Sequence, residues 1–123
     1  MIKKCIAVDF DGVIHKYSEK WKDGTIYDGP ISGVKEALEK LSKNYKILIF
    51  STRNFDRIGE DGKDQKNQIK EMEQWLNKYN IPYDEIYTGT GKPIAKLYID
   101  DNAYRFEGSW STAVQDIEKI LEE

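Results

Sequence analysis

Two aspartates two positions apart, Asp9 and Asp11, end the first apolar run of the chain, within the sequence IAVDFDGVI at residues 6–14. Residues two apart in an extended chain point to the same side, so both carboxylates could converge at the tip of a strand. Like charges raise each other's pKa, and removing them from water is costly unless a cation compensates. The pair therefore predicts a bound cation at the tip of this strand.

The elements that must position this pair follow from the apolar pattern. Short runs rich in β-branched and aromatic residues predict strands at 4–8, 46–50, 85–89 and 96–100, with an edge strand at 104–108. Apolar residues at helical spacing predict helices within 33–45, 64–80 and 111–123. Strands alternating with helices favour an α/β fold, a Rossmann-like three-layer sandwich with a mainly parallel sheet. Ligands bind beyond the carboxyl ends of the strands in such sheets.

The last predicted helix is amphipathic. Ser111 is expected to cap its start. Its apolar residues are expected to face the core: Val114, Ile117, Ile120 and Leu121.

Three segments are irregular. We expect residues 1–123 to form a single domain with a small flap at about 13–30. Residues 54–65 are expected to form a charged, mobile loop near the same edge of the sheet. The stretch 88–95 is too short for a crossover helix.

Four motifs in order, each after or just before a predicted strand, carry a family resemblance. They are VDFDG at 8–12, FSTR at 50–53, GKP at 91–93 and YIDD at 98–101. Together they resemble the motifs of the haloacid dehalogenase superfamily of phosphohydrolases, and the chain is similar to its small members from phages and bacteria. The gaps between the motifs leave no room for a cap domain. The resemblance implies a capless phosphatase.

The resemblance assigns a role to each motif residue. Asp9 would bind the metal and attack phosphorus, and Asp11 would act as general acid and then general base, its main-chain carbonyl also touching the metal. Ser51 would donate a hydrogen bond to the phosphoryl group, with Thr52 as the neighbouring candidate.

The later motifs supply the remaining charges. Lys92 would neutralise charge on the phosphate, provided that the taut segment before the last strand lets it reach the site. Lys96 or Arg53 would otherwise replace it. Asp100 would complete the metal site, and Asp101 would either bind the metal directly or contact the residues that bind it.

Some residues near the motifs have two readings. Arg53 could contact the substrate or form a structural ion pair. His15, the only histidine, could contact the substrate, although a surface position in the flap is the preferred interpretation. The flap aromatics, with Trp110, could form a stacking wall or anchor the flap on the core, the latter being preferred.

Composition limits the partners. The chain has 123 residues, 19 basic and 22 acidic, and a net charge of −3, which argues against binding bulk nucleic acid or an anionic membrane. A lone cysteine and the absence of a long apolar run lead us to expect a cytoplasmic protein. The expected partner is a phosphorylated small molecule or an exposed phosphate on a larger substrate, such as a nucleotide or nucleic-acid end. A homo-oligomer is left open.

The predicted function is Mg²⁺-dependent hydrolysis of a phosphomonoester through an aspartyl-phosphate. Two alternatives are a receiver-like signalling domain, which accepts a phosphoryl group on aspartate, and a non-catalytic binding module. In receiver domains the acidic pair comes first and the phosphorylated aspartate lies alone in mid-chain. Here a second acidic pair comes last, so the order of the motifs favours the hydrolase.

Overall fold

A computed structural model describes residues 2–122 and has an α/β fold with three α-helices. The strands are β1 (Lys4–Asp9), β2 (Tyr45–Phe50), β3 (Arg57–Ile58), β4 (Asp64–Gln65), β5 (Glu85–Ile86) and β6 (Leu97–Ile99). The helices are α1 (Val34–Ser42), α2 (Ile69–Lys78) and α3 (Trp110–Glu122), with a short 3₁₀ helix at Thr52–Asn54. No helix in the described part of the chain has the length and apolar content needed to cross a membrane.

Four strands form one parallel sheet in the order β5-β2-β1-β6. Asp9 at the end of β1 lies opposite Phe50, and Val8 lies opposite Ile99 of β6. The chain moves outward from β1 to β2 and β5, then returns to the other side of β1. The strand order therefore reverses between β1 and β6, where ligands bind in sheets of this kind. Asp9 and Asp100 end the two strands at that point.

The main core lies on one face of this sheet. Right-handed crossovers from β1 to β2 and from β2 to β5 run in the same direction, so α1 and α2 cover the same face. Alternate residues of β1 and β2 point to this face and pack with residues of both helices. The strand residues are Ile6, Val8, Ile47 and Ile49, and the helix residues are Leu38, Met72, Trp75 and Leu76. Burying each such side chain stabilises the fold by roughly 1.5–3 kcal/mol.

The opposite face carries the side chains that alternate with this core, among them Asp9, Phe50 and Tyr98. The chain returns from β5 to β6 without a helix, as the length of 88–95 predicts. The Tyr98 hydroxyl donates to the carbonyl of Pro93 and accepts from the amide of Ala95 at 3.2 Å. This ring therefore fixes the returning segment that contains Lys92.

The flap after β1 has no helix or strand of its own, but both of its ends are held. The amide of Lys16 donates to the carbonyl of Gly29, 2.9 Å away. The Trp75 indole donates to the carbonyl of Asp28 at 3.0 Å, and Tyr27 packs edge-on against the buried His15 ring. Tyr17 and Tyr27 thus anchor the flap on the buried His15, as in the preferred reading, whereas Trp110 is exposed and packs on Phe106.

Two local predictions about secondary structure are wrong. Residues 54–65 are not a simple loop, because β3 and β4 form a small antiparallel pair there. Residues 104–108 do not form an edge strand. The Tyr104 hydroxyl instead donates to Asp116 of α3 at 2.8 Å, and Phe106 packs on Trp110, so this segment is tied to α3.

The predicted inward face of α3 is also largely wrong. Only Ala113 of this helix is fully buried, whereas Val114, Ile120 and Leu121 are exposed. The helix begins one residue earlier than predicted, and the Ser109 hydroxyl accepts the amide hydrogen of Thr112 at 3.3 Å. Ser109, and not Ser111, therefore caps α3.

Candidate metal centre and active site

Three carboxylates from opposite ends of the chain meet at the strand reversal. Asp9, Asp100 and Asp101 each offer one oxygen, and these oxygens lie within 4.8 Å of one another. Oxygens on opposite sides of an octahedral Mg²⁺ lie about 4.2 Å apart, since each Mg–O distance is about 2.1 Å. Shifts of less than about 1 Å would therefore bring all three onto one ion. The donor set is all oxygen, which fits Mg²⁺.

Main-chain amides orient two of these carboxylates. The amide of Phe10 donates to Oδ1 of Asp9, and the amide of Asn102 donates to Oδ1 of Asp100, both at 2.8 Å. Within residues 2–122, neither Oδ2 atom takes part in a hydrogen bond. Each side chain is thus held at one oxygen and keeps the other for a ligand.

The neighbouring negative charges affect the pKa of Asp9. Burial is the main cause that raises the pKa of Asp9 to about 7; the charges of Asp100, Asp101 and Asp11 also raise this pKa, and the hydrogen bond from the Phe10 amide lowers it. A divalent cation among these groups would favour the ionised carboxylates. The site therefore concentrates negative charge, which a bound cation would neutralise.

Gly12 lets the turn after β1 approach the last motif. Its φ of +83° is a left-handed conformation that favours glycine, and a Cβ built there would lie 2.8 Å from Cγ of Asp101. Any larger residue would push the Asp101 carboxylate away. Gly12 is therefore required both by the backbone and by the acidic cluster.

Asp11 lies beside this cluster but faces a different set of groups. Its Oδ2 accepts a hydrogen bond from Nε of Arg53 at 2.7 Å, and its Oδ1 lies 2.8 Å from Nδ1 of His15. Burial acts to raise the pKa of Asp11, but the hydrogen bonds of His15 and Arg53 outweigh it, so this pKa lies below its ordinary value. Asp11 is thus an ionised, fixed carboxylate, and its side chain is not part of the three-carboxylate group.

The backbone of Asp11 remains accessible to a ligand. In the tight turn that follows, the carbonyl of Phe10 accepts the amides of Val13, Ile14 and His15. The carbonyl of Asp11 accepts no hydrogen bond from the described residues. This free oxygen agrees with the main-chain metal contact that the resemblance implies.

His15 is fully buried, so its interpretation as a surface residue of the flap is wrong. Its Nε2 accepts the amide hydrogen of Asp28 at 3.1 Å. The other ring nitrogen, Nδ1, faces Oδ1 of Asp11. His15 holds Asp11 in place and is shielded from a substrate.

Arg53 is likewise fully buried and forms a structural ion pair. Besides Asp11, its guanidinium donates to the carbonyl of Gly24 at 2.7 Å and to Oε1 of Gln68 at 2.8 Å, and Trp21 covers it. These contacts connect the flap, the start of α2 and Asp11. Of the two readings of Arg53, the structural ion pair is the one observed.

The other predicted phosphate ligands follow β2 or precede β6, the two strands that pair with β1. Ser51 is buried directly after Phe50, the strand partner of Asp9, and its Oγ accepts the amide hydrogen of Arg53 at 3.2 Å. Among residues 2–122, the Ser51 hydroxyl has no hydrogen-bond acceptor. Thr52 is exposed at the start of the 3₁₀ helix.

Lys92 lies on the other side of the site. Its Nζ is 4.4 Å from the centre of the Tyr98 ring, and Lys92 and Asp100 line the same cavity. The returning segment thus brings Lys92 to a cavity that Asp100 also lines.

Sequence reasoning missed Arg105 and Gln68. Arg105 lines the cavity that contains Asp100 and Lys92, and Gln68 orients Arg53. Arg105 lies in an irregular segment whose path no periodic pattern predicts, and Gln68 is one of several polar residues before α2. Neither position carries a sequence signal that would have distinguished it.

Comparisons with known proteins add no family assignment. A scan against protein-family models, a search of curated proteins and a search of solved structures each found no match. The functional argument therefore depends on the residues and their geometry.

Proposed function

We propose that the chain is a Mg²⁺-dependent phosphomonoester hydrolase that forms an aspartyl-phosphate on Asp9. The observation that carries this proposal is the convergence of Asp9 with Asp100 and Asp101 at the strand reversal. The parallel sheet and the four ordered motifs are consistent with the finer proposal of a haloacid dehalogenase-like, capless three-layer sandwich.

The residues that would hold Mg²⁺ are Asp9, Asp100 and Asp101, with the main-chain carbonyl of Asp11. When bound, the ion would neutralise charge on the phosphoryl oxygens. The chain's own cation for the same purpose is Lys92, and Ser51 has a hydroxyl hydrogen for a phosphoryl oxygen. Without these positive groups, two negative partners would repel each other.

The proposed reaction has two steps at phosphorus. In the first, a carboxylate oxygen of Asp9 bonds to phosphorus, the bond to the leaving oxygen breaks, and that oxygen takes a proton. In the second, water attacks phosphorus, the bond to Asp9 breaks, and Asp11 accepts a proton from the water. Asp11 is also proposed as the acid of the first step. The ion pair with Arg53 favours the ionised form of Asp11, which can accept the proton of the water; to act as the acid of the first step, Asp11 must first take up a proton from solvent.

Hydrolysis of an aryl phosphate by the purified chain tests this function. We expect turnover that requires Mg²⁺ and stops in Asp9→Asn, because the amide is neither a nucleophile nor a good ligand. Asp64→Asn is the matched control, since Asp64 is exposed in the β3–β4 pair. Stable phosphorylation by acetyl phosphate without turnover would instead support a receiver-like domain. No reaction with either reagent would support a binding module.

A further inference from the structure

A cavity of about 530 Å³ extends from Asp100 along β6. Its lining includes three cationic side chains, those of Lys92, Lys96 and Arg105, together with Tyr98 and Asp100. We call this the basic cavity. It lies on the face of the sheet that carries Asp9, because Tyr98 pairs in register with Ala7, two residues before Asp9.

The basic cavity concentrates positive charge in a protein whose net charge is −3. Among residues 2–122, none of its three cations has a carboxylate oxygen within 4.0 Å. Lys46 and Lys35, by contrast, each pair with a glutamate at 3.0 Å. Positive groups that are not neutralised within the protein attract anions.

The cavity is longer than a single phosphoryl group requires. Lys96 and Asp100 lie four positions apart along an extended segment, so their Cα atoms are about 13 Å apart at about 3.3 Å per residue. Lys92 lies between them, above Tyr98. A phosphoryl group at Asp9 and Asp100 would be neutralised by Lys92, which leaves Lys96 and Arg105 for another anionic group.

We propose that Lys96 and Arg105 form a subsite for a second phosphate of the substrate. This inference rests on the proposed function and narrows its substrate class to phosphomonoesters that carry a further phosphate or phosphodiester. Two sources share this chemistry: a small bisphosphate, and the end of a nucleic-acid strand with its next backbone phosphate. Lysine and arginine bind phosphate oxygens through charge-assisted hydrogen bonds.

The test compares substrates that share one reacting ester. They are thymidine monophosphate, a dithymidine dinucleotide with the same terminal phosphate, and that dinucleotide with an uncharged methylphosphonate linkage. We expect kcat/KM for the charged dinucleotide to exceed both others by about tenfold or more at low salt, since hydrogen bonds between charged groups are the strong ones. A comparison of a hexose bisphosphate with its monophosphate tests the other source, the small bisphosphate. A preference for either charged compound supports the subsite.

Variants locate the effect. The double variant Lys96→Gln/Arg105→Gln should lose the preference while keeping kcat/KM for thymidine monophosphate within about twofold, because neither residue is assigned to the reacting phosphate. Lys40→Gln is the matched control, since Lys40 is exposed on α1. A preference that survives in the double variant would overturn the proposal.

Equilibrium binding in EDTA separates this proposal from the proposed function. There we expect the charged dinucleotide to bind about tenfold more tightly than its methylphosphonate analogue, and the double variant to abolish the difference. If hydrolysis occurs but no charged compound is preferred in turnover or binding, the subsite is wrong and the hydrolase stands. If no ester is hydrolysed but the binding preference is found, the subsite stands and the hydrolase is wrong.

Discussion

Replacing Arg53 by methionine tests the network that fixes Asp11. The Arg53 side chain is 1% exposed and that of Asp11 17%, and their atoms meet at 2.7 Å. Arg53→Met would leave the Asp11 charge with His15 as its remaining side-chain partner and would remove two further hydrogen bonds, to Gly24 and Gln68. Breaking a buried ion pair by removing one partner costs about 3–5 kcal/mol. That is a large part of the 5–15 kcal/mol that stabilises a typical domain.

The assay is urea unfolding at neutral pH in EDTA, followed by tryptophan fluorescence. Glu85→Gln is the matched control because it breaks the Lys46–Glu85 pair, in which both side chains are nearly half exposed. We expect this control to cost less than about 1 kcal/mol. The double variant Arg53→Met/Asp11→Asn should recover part of the loss, since it removes the unpaired buried charge. Equal costs for Arg53→Met and Glu85→Gln would refute the buried network.

Three further predictions concern substitutions whose unfolding is measured in EDTA, with Mg²⁺ binding measured in its absence. In the folded protein, the pKa of Asp9 is raised to about 7. Ionising Asp9 therefore lowers the stability of the fold as pH rises from about 4 to 7. Asp9→Asn should stabilise the protein at about pH 8 by on the order of 1–2 kcal/mol after allowance for solvent screening. Lower stability of this variant than of the unsubstituted protein at about pH 8 would contradict the sign. Gly12→Ala should cost about 1–3 kcal/mol in urea unfolding and weaken Mg²⁺ binding in calorimetry, because of its φ of +83° and the contact with Asp101, and unchanged Mg²⁺ affinity would contradict this reason. Leu76→Ala should lower the free energy of unfolding by about 2–5 kcal/mol, because Leu76 is buried. Leu121→Ser should lower it by less than about 0.5 kcal/mol, because Leu121 is 78% exposed. A large loss at Leu121 would mean that α3 is covered in solution.

The central strands and the acidic cluster were predictable because each depends on a local rule. Continuous apolar runs predict buried parallel strands, and β1 and β2 lie where these runs are. The carboxyl ends of parallel strands share one edge, so Asp9 and Asp100 could be brought together from sequence. In the structure, one oxygen of Asp9 and one of Asp100 lie within 4.8 Å of each other.

The remaining features depend on tertiary partners that a pattern does not name. The periodicity of α3 shows which side is apolar, but not whether another element covers it. The burial of His15 depends on a main-chain amide at Asp28, and that of Arg53 on Asp11 and Gln68. These contacts join segments far apart in sequence, so the orientation of Asp11 away from the other carboxylates could not be foreseen.

The most direct test of the central claim is to trap the phosphorylated aspartate. Asp11→Asn, incubated with Mg²⁺ and an aryl phosphate and quenched in acid, should carry one phosphoryl group on Asp9, located by fragmentation of the peptide at residues 5–16, because loss of the base slows hydrolysis of the intermediate. The phosphoryl group should be absent when the reaction is run in EDTA and when Asp9 is also replaced by asparagine. A phosphoryl group on another residue, or Mg²⁺-dependent turnover that persists in Asp9→Asn, would contradict the account.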